Sequence, residues 1–433
     1  MNWLNERIAA AWRAEGRRYA DNVNAFVRRS MAGEQPDESE IAEDQRKQWA
    51  KAVWEMVKKA NEAGEISRLR EELPAATWPM AEAFDKQMQP IRAIGYLHDG
   101  SIVFSSGSMA HQGRVYTANR QGELRGTAYT FAGCSADQLV WALASADGIH
   151  VVSRPDGALE GERLATYRWG DIQDLIHEIL PNTESFADCE FPERTLELLV
   201  PLEDGKVLLL QSYYGIYLIE PNKVELLHPD PEDIEEYELE DTRLDMGHAA
   251  VSRDGTWIAY GSQASEHTLL NRRQGQKYMF YPESSYPHYA VFSGDNRNVW
   301  FNSCHFYNGV TIRIPLEEAE GNEKREDWPI VDEHARMYAA VEVKEGIVVG
   351  DAYGYLRCID QAGQEQWRYY VGGTIFSLAT SPDRSELLVG TYSGMLHVLD
   401  LASPVMDEYS IGTGTLRERE RFVLLRGENP VRW

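Results

Sequence analysis

The amino-acid sequence predicts a mainly β protein, a seven-bladed β-propeller preceded by an α-helical segment. Three observations predict it: apolar residues at helical spacing before Pro90, alternating strand patterns after Pro90, and one turn-and-strand signal that recurs seven times. We expect residues 1–89 to form the helical segment, 90–411 to form the propeller, and 412–433 to form a C-terminal strand or tail that packs on the fold.

The N-terminal segment has the pattern of amphipathic helices. Between residues 4 and 27 apolar side chains recur every three or four positions, with charged residues between them. Asp37 and Glu40 predict a capping box before a second helix, whose buried stripe would lie within 49–60. Shorter helical pieces are expected at 66–73 and 78–88.

Five tryptophans precede Pro90, an aromatic content too high for a disordered leader. Two short helices bury little area by themselves, so we expect at least one helix to pack against the propeller or a second copy. The apolar run Phe422–Leu425 is expected to lie beyond the four strands of the last blade and to dock on the fold, because an unpaired apolar strand invites aggregation.

The repeat after Pro90 is an acidic or polar turn followed by an apolar strand. These turns begin at Asp99, Asp137, Asp204, Asp254, Asp295, Glu345 and Asp383. They are 38, 67, 50, 41, 50 and 38 residues apart, close to the length of a four-stranded blade. In six of the seven units a glycine then opens another alternating strand. The longest step, from Asp137 to Asp204, predicts an insertion, namely a helix within 169–182. A second insertion is predicted in the following step, as an acidic loop within 230–245.

Composition limits the classes of partner. Lys and Arg number 43 against 69 Asp and Glu, a formal net charge of −26, which repels phosphate backbones and anionic lipids. We therefore expect no nucleic-acid or membrane binding. The sequence begins without a secretion signal and contains no apolar run of about twenty residues, which predicts a cytoplasmic protein.

Two groups of residues carry a family resemblance. The stretches Ser252–Gly255 and Ser381–Arg384, each followed by an apolar strand, resemble WD-repeat and related bacterial propellers, as does the pair Gly247-His248. The run Gly354–Trp367 is similar to a blade of the quinoprotein-like propellers. The resemblance implies the scaffold alone, because the chain lacks the adjacent cysteines that help quinoprotein dehydrogenases hold their cofactor. No cofactor and no metal are expected.

In propellers of this type the loops between the second and third strands share one face with the loops between blades. Aromatic, imidazole and charged side chains fall at these positions, and this face is the predicted site for a ligand or partner. The candidates are Tyr213, Tyr214, His248, Tyr286, His288, His305, Tyr307, Arg336, Tyr338, Asp351, Tyr353 and Tyr392. No catalytic motif is recognised among them.

Two functions follow as hypotheses. The first is a non-enzymatic scaffold for protein binding, with the special case of an immunity or inhibitor protein for a basic partner, which the acidic charge suits. The alternative is a propeller enzyme that acts on a saccharide or small anion through His248, His288, His305 and Arg336.

Overall fold

The structure, a computed structural model, describes residues 3–75, 81–108 and 111–433. It is a seven-bladed β-propeller with an N-terminal helical segment, so the predicted fold class is confirmed. The chain falls into two units, which are described separately. The first unit comprises Met1–Ala93, Val343–Asp360 and Gln364–Trp433, and the second comprises Ile94–Glu342 and Gln361–Gly363.

In the described part of the N-terminal segment, which belongs to the first unit, four α-helices are present. Asn5 caps the first helix, because its side-chain oxygen accepts a hydrogen bond from the Ile8 amide at 3.2 Å. Trp78 lies outside the described residues. The helices are α1 Glu6–Met31, α2 Ala50–Glu62, α3 Ile66–Glu72 and α4 Ala81–Phe84, with 3-10 turns at Glu38–Glu40, Gln45–Trp49 and Asp85–Gln87.

The capping box predicted for the second helix is wrong in its position. The Asp37 amide donates to Glu40 Oε1 at 3.0 Å, and this pair closes the 3-10 turn Glu38–Glu40 instead of a long helix. The chain enters α2 later, through a 3-10 turn in which Asp44 Oδ1 accepts from the Arg46 amide at 3.0 Å. Both acids satisfy free amides of a turn, which local sequence alone does not distinguish from a helix start.

The helices of the first unit pack on its C-terminal strands, as the tryptophan content predicted. Trp12 and Trp433 are almost completely buried, with ring centroids 6.0 Å apart. The Trp433 indole donates to the Leu73 carbonyl at 2.6 Å. Val423 and Val431 belong to the same apolar cluster. The N-terminal segment therefore shares one core with the last blade.

Blades 1 to 5 are four-stranded sheets whose strands are ordered as in the chain. Each of the seven predicted turns joins the first and second strands of one blade. The strands are, in blade 1, β1 Ile91–Tyr96, β2 Ile102–Ser108, β3 His111–Ala118 and β4 Leu124–Gly126; in blade 2, β5 Phe131–Cys134, β6 Val140–Ser145, β7 Gly148–Ser153 and β8 Glu162–Arg168; in blade 3, β9 Leu196–Leu202, β10 Val207–Ser212, β11 Gly215–Glu220 and β12 Lys223–His228; in blade 4, β13 His248–Val251, β14 Trp257–Gly261, β15 His267–Asn271 and β16 Gln276–Phe280; and in blade 5, β17 Tyr286–Phe292, β18 Asn298–His305, β19 Asn308–Pro315 and β20 Ile330–Asp332.

Both insertions contain helix. The helix α5, Trp169–Ile179, lies between blades 2 and 3. A short helix, α6, occupies Pro231–Glu236 in the acidic segment that was expected to be a loop. Its N-cap is Asp230, whose side chain accepts from the Glu232 amide at 3.1 Å, and proline at the first helical position suits a helix start.

Blades 6 and 7 each contain five strands, because the C-terminal part of the chain returns to both sheets. Blade 6 has β21 Ala339–Glu342, β22 Ile347–Gly350, β23 Tyr355–Ile359, β24 Glu365–Tyr370 and β28 Ile411–Gly412; blade 7 has β25 Ile375–Thr380, β26 Glu386–Thr391, β27 Met395–Asp400, β29 Arg417–Val423 and β30 Val431–Arg432.

The expectation that Phe422–Leu425 lies beyond the last blade's four strands is wrong. Strand β29 is the fourth strand of blade 7, and Phe422 pairs with Leu396 of β27. The first part of β29 reads as a charged segment, yet Glu418 and Arg421 are buried and joined by an ion pair of 2.7 Å. Burial of paired charges hides the alternation of apolar and polar residues by which strands are recognised.

Candidate functional site

The predicted site residues lie in the loops and strand ends that the repeat analysis assigned to them. Tyrosines occupy the loops between second and third strands, at Tyr213-Tyr214 in blade 3, Tyr307 in blade 5, Tyr353 in blade 6 and Tyr392 in blade 7. The remaining residues begin or precede first strands, namely His248 in β13, Tyr286 and His288 in β17, and Arg336 and Tyr338 ahead of β21, whereas His305 ends β18.

Two of the predicted site residues in the first unit, Asp351 and Tyr392, make contacts within their own blades. Asp351 is buried, and its Oδ1 accepts from the amides of Tyr353 and Tyr355, both at 2.9 Å. Burial raises the pKa of Asp351. This carboxyl group therefore braces the turn between β22 and β23. Tyr392 contacts Phe376 edge-on, with centroids 4.7 Å apart.

In blade 3 of the second unit, Tyr213 and Tyr214 form a perpendicular ring pair with centroids 5.3 Å apart. Both are half-buried, and the Tyr214 amide donates to Ser212 Oγ at 3.0 Å. The two rings therefore pack on each other, whereas Phe306 and Tyr307 in blade 5 are exposed.

Arg336 connects the predicted residues around blade 5. Its Nε donates to His288 Nε2 at 2.9 Å, one terminal nitrogen donates to the Phe306 carbonyl at 3.2 Å, and the other contacts Met246 Sδ at 2.9 Å. The guanidinium also lies over the Tyr338 ring, 4.9 Å from its centroid. Met246 was missed from the sequence, because a methionine in an acidic loop has no signal that indicates a guanidinium contact.

The histidines beside Arg336 are held neutral. Burial lowers the pKa of His288 to about 3, and the positive charge of Arg336 acts in the same direction. Since Arg336 donates to Nε2, that nitrogen accepts, and the proton of the neutral ring is on Nδ1. Burial likewise lowers the pKa of His248 to about 3, although the Met246 backbone opposes this. The His248 ring lies 6.0 Å from that of His267, which was not predicted.

The loop between β18 and β19 consists of Phe306 and Tyr307, and both side chains are exposed, by 73% and 59%. His305 packs between two aromatic rings. Its ring stacks on that of Tyr286, with centroids 6.4 Å apart, and meets that of Phe306 edge-on, with centroids 4.5 Å apart. Ser285 Oγ lies 2.8 Å from His305 Nδ1. We name Tyr286, His305, Phe306 and Tyr307 the blade 5 tip.

Two residues that contact Arg336 adopt left-handed backbone conformations. Phe306 has φ 55° and Met246 has φ 52°. Such angles are unusual and costly for residues other than Gly, Asn and Asp. Strain of this kind persists where the surrounding structure enforces it, and it concentrates at functional sites.

Within the described part of the chain, no three His, Cys, Asp or Glu side chains are grouped so that they could hold a metal ion. His248 is buried and His288 is half-buried, whereas His305 is exposed, with its Nδ1 2.8 Å from Ser285 Oγ. Among the described residues no helix is long and apolar enough to cross a membrane.

Comparison with known proteins adds no family. No family model matches the chain, and no curated protein matches it. Among solved structures, the β-propeller domain of Cps50 (Swd1) from Myceliophteria thermophila is similar, with 10% identity, a TM-score of 0.48, and coverage of 70% of this chain and 92% of that domain. The assignment to the seven-bladed β-propellers therefore rests on the seven sheets themselves.

Proposed function

We propose that this propeller is a non-enzymatic binding module, and that the blade 5 tip forms part of its contact surface for a protein partner. The observation that carries the proposal is the loop of Phe306 and Tyr307. Two-residue hairpin loops favour Asn-Gly and similar pairs, which adopt positive φ at little cost. Here two large aromatic side chains stand exposed instead, with Phe306 in the left-handed region. The requirements of a two-residue turn therefore do not favour Phe306 and Tyr307 at these positions.

The tip has the properties of an interface anchor. Aromatic side chains dominate the energetics of protein interfaces, because they bury a large area with few rotatable bonds. The Phe306 backbone is fixed by Arg336, and its ring rests against His305. A contact surface that is already ordered loses less conformational entropy when it binds.

The net charge of −26 favours encounter with a partner of positive net charge. This supports, within the proposal, the special case of an inhibitor or immunity protein for a basic partner. The enzyme alternative has less support, because a catalytic acid or base must change protonation near the working pH. The low pKa values of His248 and His288 leave both rings neutral over that range.

The proposal is tested by affinity capture from the native host, followed by quantitative mass spectrometry. Three baits are compared: the wild type, Phe306→Ala/Tyr307→Ala, and Met279→Ala/Ile330→Ala. The last pair removes two exposed apolar side chains from the outermost strands of blades 4 and 5. We expect one protein to be enriched by the wild type and by this control, and lost with the tip variant. Equal enrichment by all three baits would refute the proposed surface.

A further inference from the structure

Arg336 is an unusual cation in a very acidic protein. Among the residues that the structure describes, its contacts are an imidazole nitrogen, a carbonyl oxygen, a thioether sulfur and an aromatic ring, and no carboxylate forms an ion pair with it. The chain has 69 acidic residues, and other arginines form ion pairs with some of them, among these Arg17 with Glu408, Arg272 with Glu203 and Arg368 with Glu365. Among the described residues of its own unit, Arg336 therefore has no carboxylate as a counter-ion.

The contacts of Arg336 also leave donors for a ligand. A guanidinium has five N–H groups, and three contacts use three of them. The contact with Met246 is the weakest, since a thioether sulfur is a poor acceptor. A carboxylate is the acceptor that a guanidinium binds best, through two parallel hydrogen bonds.

The surroundings favour a carboxylate further. His288, which accepts a hydrogen bond from Arg336, is neutral, so its ring does not compete with Arg336 for a negative charge, and its Nδ1 has no hydrogen-bond partner among the described residues. The two residues that hold Arg336 through a carbonyl and a sulfur, Phe306 and Met246, are the strained ones. The contact with the Phe306 carbonyl places the guanidinium beside the blade 5 tip, and the two strained backbones persist because the surrounding structure enforces them.

We propose that Arg336 binds an acidic side chain of the protein partner, beside an apolar residue of that partner that contacts Phe306 and Tyr307. This inference rests on the proposed function and specifies the chemistry of the contact. It agrees with a partner of positive net charge, because net charge governs the rate of encounter whereas one buried ion pair governs local specificity.

The probe is a random twelve-residue peptide library, selected on the immobilised full-length protein. The selected peptides are measured by fluorescence anisotropy on the wild type, Phe306→Ala/Tyr307→Ala, Arg336→Gln and Arg336→Lys. Arg253→Gln is the control, because it removes an exposed arginine from the β13–β14 turn, at the opposite end of the strands. We expect the peptides to combine Asp or Glu with an aliphatic or aromatic residue, and to bind the Arg253→Gln variant like the wild type.

The decisive measurement is a double-mutant cycle between Arg336→Gln and replacement of the peptide's acid by its amide. The amide should weaken binding to the wild type by about tenfold or more, and to Arg336→Gln by less than about twofold. Arg336→Lys should retain part of the preference for the acid. A purely structural role of Arg336 would lower affinity for both peptides equally and overturn the inference.

The two proposals fail in different ways. Peptides that require Phe306 and Tyr307 but show no preference for an acid, or no coupling to Arg336, overturn this inference and leave the binding surface intact. A selection without any peptide that is sensitive to Phe306→Ala/Tyr307→Ala overturns both.

Discussion

Among the single residues that the structure describes in the second unit, four histidines have pKa values that burial lowers strongly. Burial lowers the pKa of His228 to about 4 and the pKa values of His248 and His288 to about 3, and it lowers the pKa of His267 well below its ordinary value. His228 and His267 pair with serine hydroxyls, at 2.8 and 2.9 Å. All four rings are therefore neutral in the folded protein.

These rings predict acid sensitivity. Below about pH 6.5 the unfolded state binds protons that the folded state does not, so the free energy of unfolding falls as the pH falls towards the folded values of 3 to 4. Each ring contributes up to about 1.4 kcal/mol per pH unit. We expect the urea midpoint to decrease from pH 7 to pH 5, before the carboxyl groups with lowered pKa values begin to titrate.

Two variants identify the source of this dependence. His248→Gln should make the decrease shallower, whatever it does to stability at pH 7. Met279→Ala should not change it, because Met279 is exposed and carries no titratable group. A midpoint that is constant or rises between pH 7 and pH 5 would show that the buried rings do not control stability.

The strain at Phe306 makes a second prediction at this scale. Asn tolerates φ of 55°, so Phe306→Asn should melt at or above the temperature of the wild type while it loses partner binding. Asn296 has the same φ in the β17–β18 turn, and Asn296→Phe should cost about 1 kcal/mol or more. Melting curves of both variants give the answer. A clear loss of stability in Phe306→Asn would mean that the aromatic ring is there for folding.

At the scale of elements, the sequence predicted the blades well and their ends less well. Six of the seven first turns contain a residue with positive φ, such as Gly100 with φ 82°, and the glycines and polar residues that suit such turns made them visible in the sequence. The first part of strand β29 was not recognised, because Glu418 and Arg421 are buried as partners of each other. At the site, the loops were predicted, but the contacts of Arg336 with Met246 and Phe306 depend on tertiary packing.

The N-terminal helices are predicted to be indispensable to the first unit. Deletion of residues 1–88 would uncover apolar side chains that α1 and α2 now cover, among them Met395, Leu425 and Trp433. The truncated protein should be poorly soluble or self-associate, as measured by light scattering after gel filtration. The control is Met31→Ala, an exposed side chain on the same segment, which should leave the protein unchanged. A monomeric truncated protein that melts like the full chain would contradict this account.

In the whole molecule, net charge and fold have different roles: the charge governs encounter with a partner, and the fold presents the residues that bind it. A net charge of −26 sets which partners approach quickly and makes association sensitive to salt. The seven sheets supply a scaffold on which loops can present residues without contributing to its core. Binding specificity is then assigned to a few residues at strand ends, with Arg336 and Phe306 foremost.

Photocrosslinking in the native host can show whether the blade 5 tip contacts a protein partner. A photoreactive benzoylphenylalanine replaces Tyr307 in one strain and Met279, exposed on the outermost strand of blade 4, in another. The account predicts that irradiation joins the protein with residue 307 substituted to one defined partner, and that Arg336→Gln reduces this product, whereas position 279 gives none. The same product from both positions, or none from position 307, would contradict the claim that the blade 5 tip is a binding surface.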